Sequence, residues 1–352
     1  MSGRGRPRGS TAGLVLAGAL LALLVTGALT PVGRAEPDPA VVATRGEPIT
    51  VEARPFTAFE PGKPDRVRFG RLQFRGGMEL SSRHKAFGGI SGLKMLDAER
   101  FVAISDKADW LTGRIVYDGS RPVGIADAAM AAMLGPDGRT LVARGWYDTE
   151  SLAEDQGVLY VGIERVNRIV RFDFARQGVA APARLTPWPA GLQGLPTNRG
   201  IEALVFVPKP SPLAGTLIAI SERALDPAGN IKAALIGGPR PGLFTVARRD
   251  GFDISDATML PDGDLLLLER RFTWTTGIAM RLRRIALATL APGALVDGPE
   301  IFFADMGFQI DNMEAISTHV TPTGETVLTI VSDDNFSFLQ RTLLLQFSLA
   351  DE

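Results

Sequence analysis

The segment that decides the fold reads Ile201-Glu202-Ala203-Leu204, and it is followed by the related segment Ile220-Ser221-Glu222-Arg223. In the first segment, a polar residue stands at the start of an apolar run. In the second segment, an acid stands at the end of an apolar run. Four similar pairs occur elsewhere in the chain: Ser91 with Asp106, Glu150 with Glu164, Asp256 with Glu269, and Glu314 with Asp333. Their first members, taken with Glu202, follow one another at steps of 59, 52, 54 and 58 residues. A repeat of short strand-like segments at this period predicts a β-propeller.

Each repeat has the composition of a β-hairpin. Asp155-Gln156-Gly157 and Pro322-Thr323-Gly324 lie between paired runs and are typical of turns. In an antiparallel hairpin the start of one strand lies beside the end of the next, so both polar residues of a pair share one end of the sheet. If the first strand of each unit is the innermost, all five pairs meet at one mouth of a central channel. Crowded acids either raise one another's pKa values or require a cation.

The number of blades and their closure follow from the remaining segments. The pattern predicts an all-β propeller with five or six four-stranded blades, because residues 126–145 fit either an outer hairpin or a sixth blade. Apolar residues alternate in the segment 67–74, which predicts a strand that closes the ring beside residues 342–349. The continuous apolar run Leu265-Leu266-Leu267-Leu268 predicts a strand covered on both faces.

The first 35 residues have the composition of a targeting segment. Arg4, Arg6 and Arg8 precede an uncharged apolar run over residues 11–29, and Gly33-Arg34-Ala35 offers a cleavage site. The sequence therefore predicts a signal peptide over 1–35, with an uncleaved membrane anchor at 11–29 as the alternative. The folded part is then periplasmic or secreted, or anchored to the membrane by that run. Residues 36–65 are rich in Pro, Glu and Ala and predict a spacer, which leaves 66–352 as the propeller domain.

Composition limits the possible partners and chemistries. Removal of residues 1–35 takes away four Arg and no acids, so the net charge changes from −1 to 34 − 39 = −5. No basic excess remains to displace counterions from a polyanion, which argues against a nucleic-acid partner. No membrane contact is predicted beyond the signal or anchor segment. Cysteine is absent, so disulfides, thiolate metal sites and cysteine nucleophiles are excluded.

The repeated acids predict a site for a hard divalent cation. The chain has two histidines, His84 and His319, neither at a metal-ligand spacing, so carboxylate and carbonyl oxygens favour Ca²⁺ first and Mg²⁺ or Mn²⁺ next. The predicted metal ligands are Asp106, Glu150, Glu164, Glu269, Asp311, Glu314, Asp333 and Asp334. Repeated acids at strand ends are also compatible with ordinary turn chemistry.

Four acids and four cations complete the predicted site. The predicted catalytic acids are Glu202, Glu222, Asp256 and Glu314. A cation directly follows the acid in four of the units: Lys107, Arg165, Arg223 and Arg270. These cations either neutralise the ring of acids or hold an anionic substrate. Bound cations can polarise an ester or phosphoryl oxygen and lower the pKa of a bound water, so metal-assisted hydrolysis and metal-dependent binding both remain open.

Several of these segments resemble the phytase-like family, which is also labelled "esterase-like activity of phytase". The similarity rests on Asp148-Thr149-Glu150-Ser151-Leu152-Ala153, Asn198-Arg199-Gly200-Ile201-Glu202-Ala203-Leu204, Ile310-Asp311-Asn312-Met313-Glu314 and Ser332-Asp333-Asp334-Asn335-Phe336. It extends from about residue 80 to the end of the chain. The resemblance implies a β-propeller in an exported protein. Together with the acids, it predicts a metal-dependent hydrolase of phosphate or other anionic esters. The alternatives are a non-catalytic Ca²⁺-binding propeller for ligand or protein interaction, and a lactonase-like enzyme.

Overall fold

The structure is a computed structural model, and it describes residues 46–189, 192, 195 and 199–350. The predicted signal or anchor segment, residues 1–35, lies outside the described residues. Within the described part of the chain, no helix is both long enough and apolar enough to cross a membrane.

Five sheets form the blades of a propeller. The first described residues contribute strands β1 (Glu47–Pro48), β2 (Glu52–Phe56), β3 (Arg68–Phe69) and β4 (Leu72–Ser81). From the centre outward, blade one contains β5 (Ile90–Met95), β6 (Arg100–Ser105), β7 (Asp109–Asp118) and β8 (Arg121–Ala132), with β1 at its outer edge. Blade two contains β9 (Thr149–Asp155), β10 (Val158–Ile163), β11 (Arg168–Asp173) and β12 (Arg184–Leu185).

The remaining blades follow the same order. Blade three contains β13 (Ile201–Phe206), β14 (Thr216–Leu225), β15 (Ile231–Gly237) and β16 (Gly242–Val246), beside which β20 (Leu295–Val296) runs parallel. Blade four contains β17 (Asp253–Met259), β18 (Leu265–Thr273), β19 (Gly277–Ile285) and β21 (Glu300–Ala304). Blade five contains β22 (Asn312–Val320), β23 (Thr326–Asp333) and β24 (Thr342–Leu349), followed by β4 and β2. The helical pieces are short: α1 (Phe174–Gln177) and 3-10 turns at Val142–Arg144, Glu164–Val166, Gly178–Ala180 and Leu287–Thr289.

The five innermost strands close a ring around the channel. β5 contacts β9, β9 contacts β13, and so on through β17 and β22, which returns to β5. Residues 126–145, for which the sequence left a sixth blade open, form the end of β8 and the turns that follow it, and β8 pairs with β7 of blade one. The propeller therefore has five blades.

The ring is closed by pairing the two ends of the domain. β4 runs antiparallel to β24, from Leu72 opposite Leu349 to Leu80 opposite Thr342. This confirms that a strand near residues 67–74 closes the ring beside residues 342–349. The predicted spacer over 36–65 is wrong from residue 46 onward, because β1 and β2 pair with β8 and β4, and Phe59 is fully buried. The polar composition of that segment hid the few apolar residues that fold against the core.

Neighbouring blades pack through both faces of their strands. Leu266 and Leu268 of β18 belong to the hydrophobic cluster shared with blade five, whereas Leu265 and Leu267 belong to the cluster shared with blade three. The continuous apolar run predicted this arrangement. Each blade contributes to two clusters, so the apolar contacts between blades hold the ring together.

We expect Phe347→Ala in the closing strand β24 to destabilise the domain by about 3–5 kcal/mol. Phe347 is fully buried, and its ring lies 5.1 Å from that of Phe59 and 5.2 Å from that of Phe74, centroid to centroid. Urea unfolding measures the loss, with Leu185→Ala as the control because Leu185 is 53% exposed. Equal losses in the two variants would contradict the closure described here.

Candidate functional site

An extra residue interrupts the innermost hairpin of every blade at the same position. In blade three, for example, Ile201 lies opposite Ser221 and Ala203 lies opposite Ile220, so Glu202 has no partner in the ladder. This two-against-one pairing is a β-bulge, which redirects a side chain out of the regular alternation. The five bulged residues are Ser91, Glu150, Glu202, Ser255 and Glu314.

A second equivalent position follows directly on the neighbouring strand. In each blade, the residue just before the bulged one pairs with a residue of the neighbouring strand, and the second position is the residue that follows this partner. In blade three, Ile201 pairs with Ser221, so the second position is Glu222. In blade order these residues are Asp106, Glu164, Glu222, Arg270 and Asp333. We call the two sets of five together the acidic mouth; seven of its ten members are carboxylic acids.

Blade four therefore differs from the sequence prediction by one residue. Its bulged residue is Ser255 rather than Asp256, and its second position is Arg270 rather than Glu269. A shift of one residue along a strand turns a side chain to the opposite face, so Asp256 and Glu269 do not join the acidic mouth. Both predictions are corrected by the pairing of β17 with β18.

Glu269, predicted as a metal ligand, lies inside blade four. Its carboxylate is fully buried and accepts hydrogen bonds from Arg281 Nε at 2.6 Å and from Arg283 Nη2 at 2.7 Å. Arg283 continues to Asp297 at 2.8 Å. These ion pairs satisfy the carboxylate, so Glu269 has a structural role in the blade.

Asp256, predicted as a catalytic acid, lies on β17 beyond the bulge, farther from the mouth. Its carboxyl oxygens accept hydrogen bonds from Ala257 N at 2.7 Å and from Ile316 N of blade five at 2.8 Å. Lys94 Nζ of blade one is 4.0 Å away. Burial raises the pKa of Asp256 to about 7, even though Lys94 opposes the shift. Asp256 therefore links blades one, four and five across the channel.

The acids of the mouth are close enough to affect one another's ionisation across the ring. Burial, and then the charge of Glu314 in blade five, raises the pKa of Glu150 in blade two well above its ordinary value. Burial also raises the pKa of Glu202 well above its ordinary value, and the charges of Glu150 and Glu314 add to this. Blades two and five are not neighbours, so these side chains meet across the channel. Acids of blades two, three and five thus influence one another's ionisation, whereas a complete ring of acids at one channel mouth stays a prediction.

Four further acids of the mouth have raised pKa values. Burial raises the pKa of Asp333 to about 8, those of Glu164 and Glu314 to about 7, and that of Asp106 to about 6. Lys107 opposes the shift at Asp106, and Arg270 opposes it at Glu314. Carboxyl groups that titrate near neutral pH can exchange protons with a substrate, which is the usual requirement for acid–base catalysis.

Arg270 supplies a positive charge inside the mouth. Its Nη1 lies 2.8 Å from Glu314 Oε1 and donates to Asn312 Oδ1 at 2.7 Å, and its Nη2 donates to Glu222 Oε1 at 3.3 Å. Asn312 Nδ2 also donates to Glu314 Oε1 at 2.7 Å. One guanidinium thus connects the acids of blades three and five, in the position that the other blades fill with an acid.

The other three predicted cations lie in different surroundings. Lys107 Nζ is 2.9 Å from the ring centroid of Phe336, and the Arg165 guanidinium stacks on Tyr147 at 4.3 Å. Arg223 Nη1 pairs with Asp253 Oδ2 at 3.2 Å. The structure therefore brings Arg270, of the four, into direct contact with the acids of the mouth.

Two predicted metal ligands are held by backbone amides. Asp334 Oδ1 accepts hydrogen bonds from Gly89 N and Phe336 N, both at 3.0 Å, and its Oδ2 accepts one from Thr342. Asp311 accepts hydrogen bonds from Asn312 N at 2.9 Å and Arg341 N at 3.2 Å. Asp334 thereby fastens blade five to the loop that enters blade one.

Two polar residues beside the site, Asp148 and Asn312, are not among the predicted site residues, although the segment of Asn312 was quoted. Asp148 lies beside Asp106 and Arg165, and burial raises its pKa. Each lies two residues before the bulged acid of its blade, and both segments were quoted for the family resemblance. Their fixed distance from the bulge was the signal that could have found them.

The donor set of the mouth suits a hard cation in its chemistry. Its donors are oxygens, and Asp106 Oδ1 is buried without a hydrogen-bond partner. Within the described residues, however, no three acidic or histidine side chains are already gathered around one point. A bound ion would have to draw the carboxylates together.

The fold is a five-bladed β-propeller with acids at equivalent positions in four of its innermost hairpins, and a family comparison agrees with this fold. Residues 85–336 match the family model of the phytase-like domain, described as esterase-like activity of phytase. Because the match spans well over half of the chain, the protein belongs to the phytase-like family. A search of curated proteins gives no significant match.

Solved structures with similar folds are distant in sequence. A putative oxidoreductase (glucose dehydrogenase) from Thermus thermophilus is 15% identical, with 84% of this chain and 100% of that chain covered and a TM-score of 0.34. The PQQ-bound aldose sugar dehydrogenase from Streptomyces coelicolor is 12% identical, with 86% and 100% covered and a TM-score of 0.38. At these values neither similarity bears on the activity of this chain.

We expect the melting temperature of the metal-free protein to fall as the pH rises from about 5 to about 8. The raised pKa values of Asp106, Glu164, Glu314 and Asp333 mean that the folded state keeps protons that the unfolded chain releases. Their contribution to stability is complete below the unfolded-state pKa values and is lost as the pH rises through about 6 to 8. Thermal melts in chelator across this range measure the effect.

The double variant Glu150→Gln, Asp333→Asn tests whether the acids of the mouth cause this pH dependence, because it removes two titrating groups while keeping the shapes of their side chains. Its melting temperature should vary less with pH than that of the unmodified protein. A melting temperature that rises with pH in the unmodified protein would contradict this expectation and would show that nearby positive charges already compensate the acids of the mouth.

Proposed function

We propose that the protein hydrolyses a phosphate or other anionic ester at the acidic mouth. The observation that carries this proposal is the contact of the partly buried Arg270 guanidinium with Glu222 and Glu314, near Glu202, since the pKa values of all three acids are raised. Such a site offers a proton donor, a proton acceptor and a fixed positive charge close together. Membership of a family described by esterase-like activity supports the same reaction class.

The roles of the acids follow from their ionisation. Burial raises the pKa of Glu202 well above its ordinary value, so we assign it as the acid that donates a proton to the leaving alkoxide. Glu314, with a pKa of about 7 and a direct contact with Arg270, is partly ionised and can accept a proton from the attacking water. Glu222 contacts the same guanidinium and holds its orientation. Asp256 is not assigned a catalytic role, because its oxygens already bond to backbone amides.

The charged group of the substrate has a suitable cleft beside Arg270. A cavity of about 560 Å³ is lined by Glu222, Arg223, Arg270, Arg271 and neighbouring residues. The Nε atoms of these three arginines are buried without hydrogen-bond partners. Planar guanidinium groups match the oxygens of phosphate and carboxylate. We place the anionic part of the substrate in this cleft, next to the acids that exchange protons.

We further propose that a divalent cation, Ca²⁺ first, assists at the opposite side of the mouth. The residues that would hold it are Asp106, Glu150 and Asp333, with Asp148 beside them, because Arg270 already compensates Glu222 and Glu314. When bound, the ion would supply a Lewis acid for the ester oxygen. The amino-terminal sequence supports export of the domain, so we place this reaction in the periplasm or outside the cell.

We expect chelation to lower the melting temperature of the protein and Ca²⁺ to restore it better than Zn²⁺. An ion that binds only the folded state stabilises it by about 2.7 kcal/mol at a hundredfold excess over Kd. Thermal melts in chelator, and then with each ion added back, measure this. A melting curve that responds to neither treatment would remove the metal from the proposal and leave the acid–base site to be tested alone.

We expect Glu202→Gln to lower kcat/KM by at least about tenfold, equivalent to about 1.4 kcal/mol of transition-state stabilisation. Glutamine keeps the shape of the side chain and cannot donate the proton. The assay uses a phosphomonoester, a carboxylester and a lactone, each with and without chelator. Glu52→Gln is the matched control, because Glu52 is an exposed residue of the outer strand β2.

The outcomes of this assay separate the functions. Hydrolysis of one substrate class, lost in Glu202→Gln and kept in Glu52→Gln, supports the proposed enzyme. No hydrolysis of any substrate, together with Ca²⁺-dependent stability, would instead support a non-catalytic Ca²⁺-binding propeller.

A further inference from the structure

A second cleft lies on the face of the propeller opposite the acidic mouth. The mouth is formed where the innermost strands begin, whereas this cleft is formed where they end. The loop between β13 and β14, the turn between β17 and β18, and the end of β22 form its walls. We call it the lower cleft; its volume is about 830 Å³, within the range of small-molecule sites.

The lower cleft opens beside the other end of the central channel. A neighbouring cavity of about 530 Å³ is lined by the last residues of all five innermost strands, and the two cavities share Pro208, Lys209, Met259 and Thr318. The inner wall of the lower cleft is apolar and includes the buried side chains of Leu213, Leu260 and Leu290. The space can therefore accept an apolar body.

The uncompensated charge of the lower cleft is positive. Its two acids, Asp262 and Asp264, are both bound by Arg284, at 2.7 Å and 2.8 Å. Its two exposed cations, Lys209 and Arg240, have no ion pair with any described residue. The protein carries net negative charge, so an uncompensated pair of cations around a cavity is a local feature of this cleft.

One side chain of the same cleft also lacks a hydrogen-bond partner. Thr318 Oγ1 is buried without a partner, and Thr318 lines both the lower cleft and the neighbouring cavity. A buried polar atom left unpaired is unfavourable, so this hydroxyl favours a ligand that can bond to it.

We propose that the lower cleft binds a small amphipathic organic anion. The carboxylate, sulfonate or phosphate group of the ligand pairs with Lys209 and Arg240, and its hydrocarbon part lies against Leu213, Leu260 and Leu290. The Thr318 hydroxyl bonds to one of its polar atoms. This site is separate from the acidic mouth and does not depend on the proposed hydrolysis.

The test is calorimetric titration of the full chain with octanoate, and with octanamide as a neutral probe of the same length. We expect octanoate to bind and octanamide to bind at least about tenfold more weakly, because only the carboxylate can form charge-assisted hydrogen bonds with Lys209 and Arg240. Lys209→Ala with Arg240→Ala should weaken octanoate binding by about tenfold or more. Both residues are exposed, so the fold should tolerate their removal.

Matched variants make the result specific. Lys85→Ala with Arg184→Ala removes two exposed cations that do not line the cleft, and octanoate binding should persist. Glu202→Gln should also bind octanoate normally, which separates this site from the acidic mouth. Val320→Glu places an acid on the half-exposed rim of the cleft and should abolish binding.

Three results would each overturn the proposal. They are equal binding of octanoate and octanamide, unchanged binding after loss of Lys209 and Arg240, and an equal loss in the Lys85, Arg184 control. The first would indicate an apolar groove without anion selectivity, and the last a general effect of net charge.

Discussion

The acidic mouth depends on one constraint of the backbone, the β-bulge at the start of each innermost hairpin. Without the extra residue, strict alternation would send neighbouring side chains to the two faces of the blade, where they would pack against adjacent blades. The bulge breaks that alternation once per blade and at the same place in all five. Ser91, Ser151 and Ser255 donate hydrogen bonds to carbonyl groups of the next blade and so keep the bulges aligned around the ring.

The second constraint is electrostatic. The seven acids of the mouth are partly or fully buried, and burial together with the charges of nearby acids raises their pKa values, so this arrangement destabilises the folded protein whenever they ionise. The ring tolerates the cost because its blades share large apolar clusters and because β4 and β24 join the two ends of the domain. Stability is thus supplied by the blade interfaces, and reactivity is concentrated at the axis.

Blade four differs from the other blades at both equivalent positions, and this difference makes the two sides of the mouth unequal in charge. Where the other blades place acids at the second position, blade four places Arg270, and at the bulge it places Ser255. The result is one side of the mouth with a guanidinium bound to Glu222 and Glu314, and another side where Asp106, Glu150 and Asp333 form no ion pair with Arg270. An asymmetric site of this kind can hold an anion on one side and a cation on the other.

The sequence by itself determined the repeat, the fold class and the closure by terminal strands. These follow from the period of the hairpins and from the way antiparallel strands place their ends side by side. It left open whether residues 126–145 form a sixth blade, and it hid the folded strands after residue 46, because both depend on pairing between distant segments.

Only the tertiary structure decided the register of blade four. Ser255-Asp256-Ala257 looks like Ile201-Glu202-Ala203 when read as text, yet the pairing of Ile254 with Glu269 places the bulge at Ser255. Because side chains alternate with a period of two, that single residue moves Asp256 beyond the mouth, buries Glu269 against Arg281 and Arg283, and brings Arg270 into the mouth. Composition cannot reveal such a shift, since it is set by which backbone groups hydrogen-bond across the two strands.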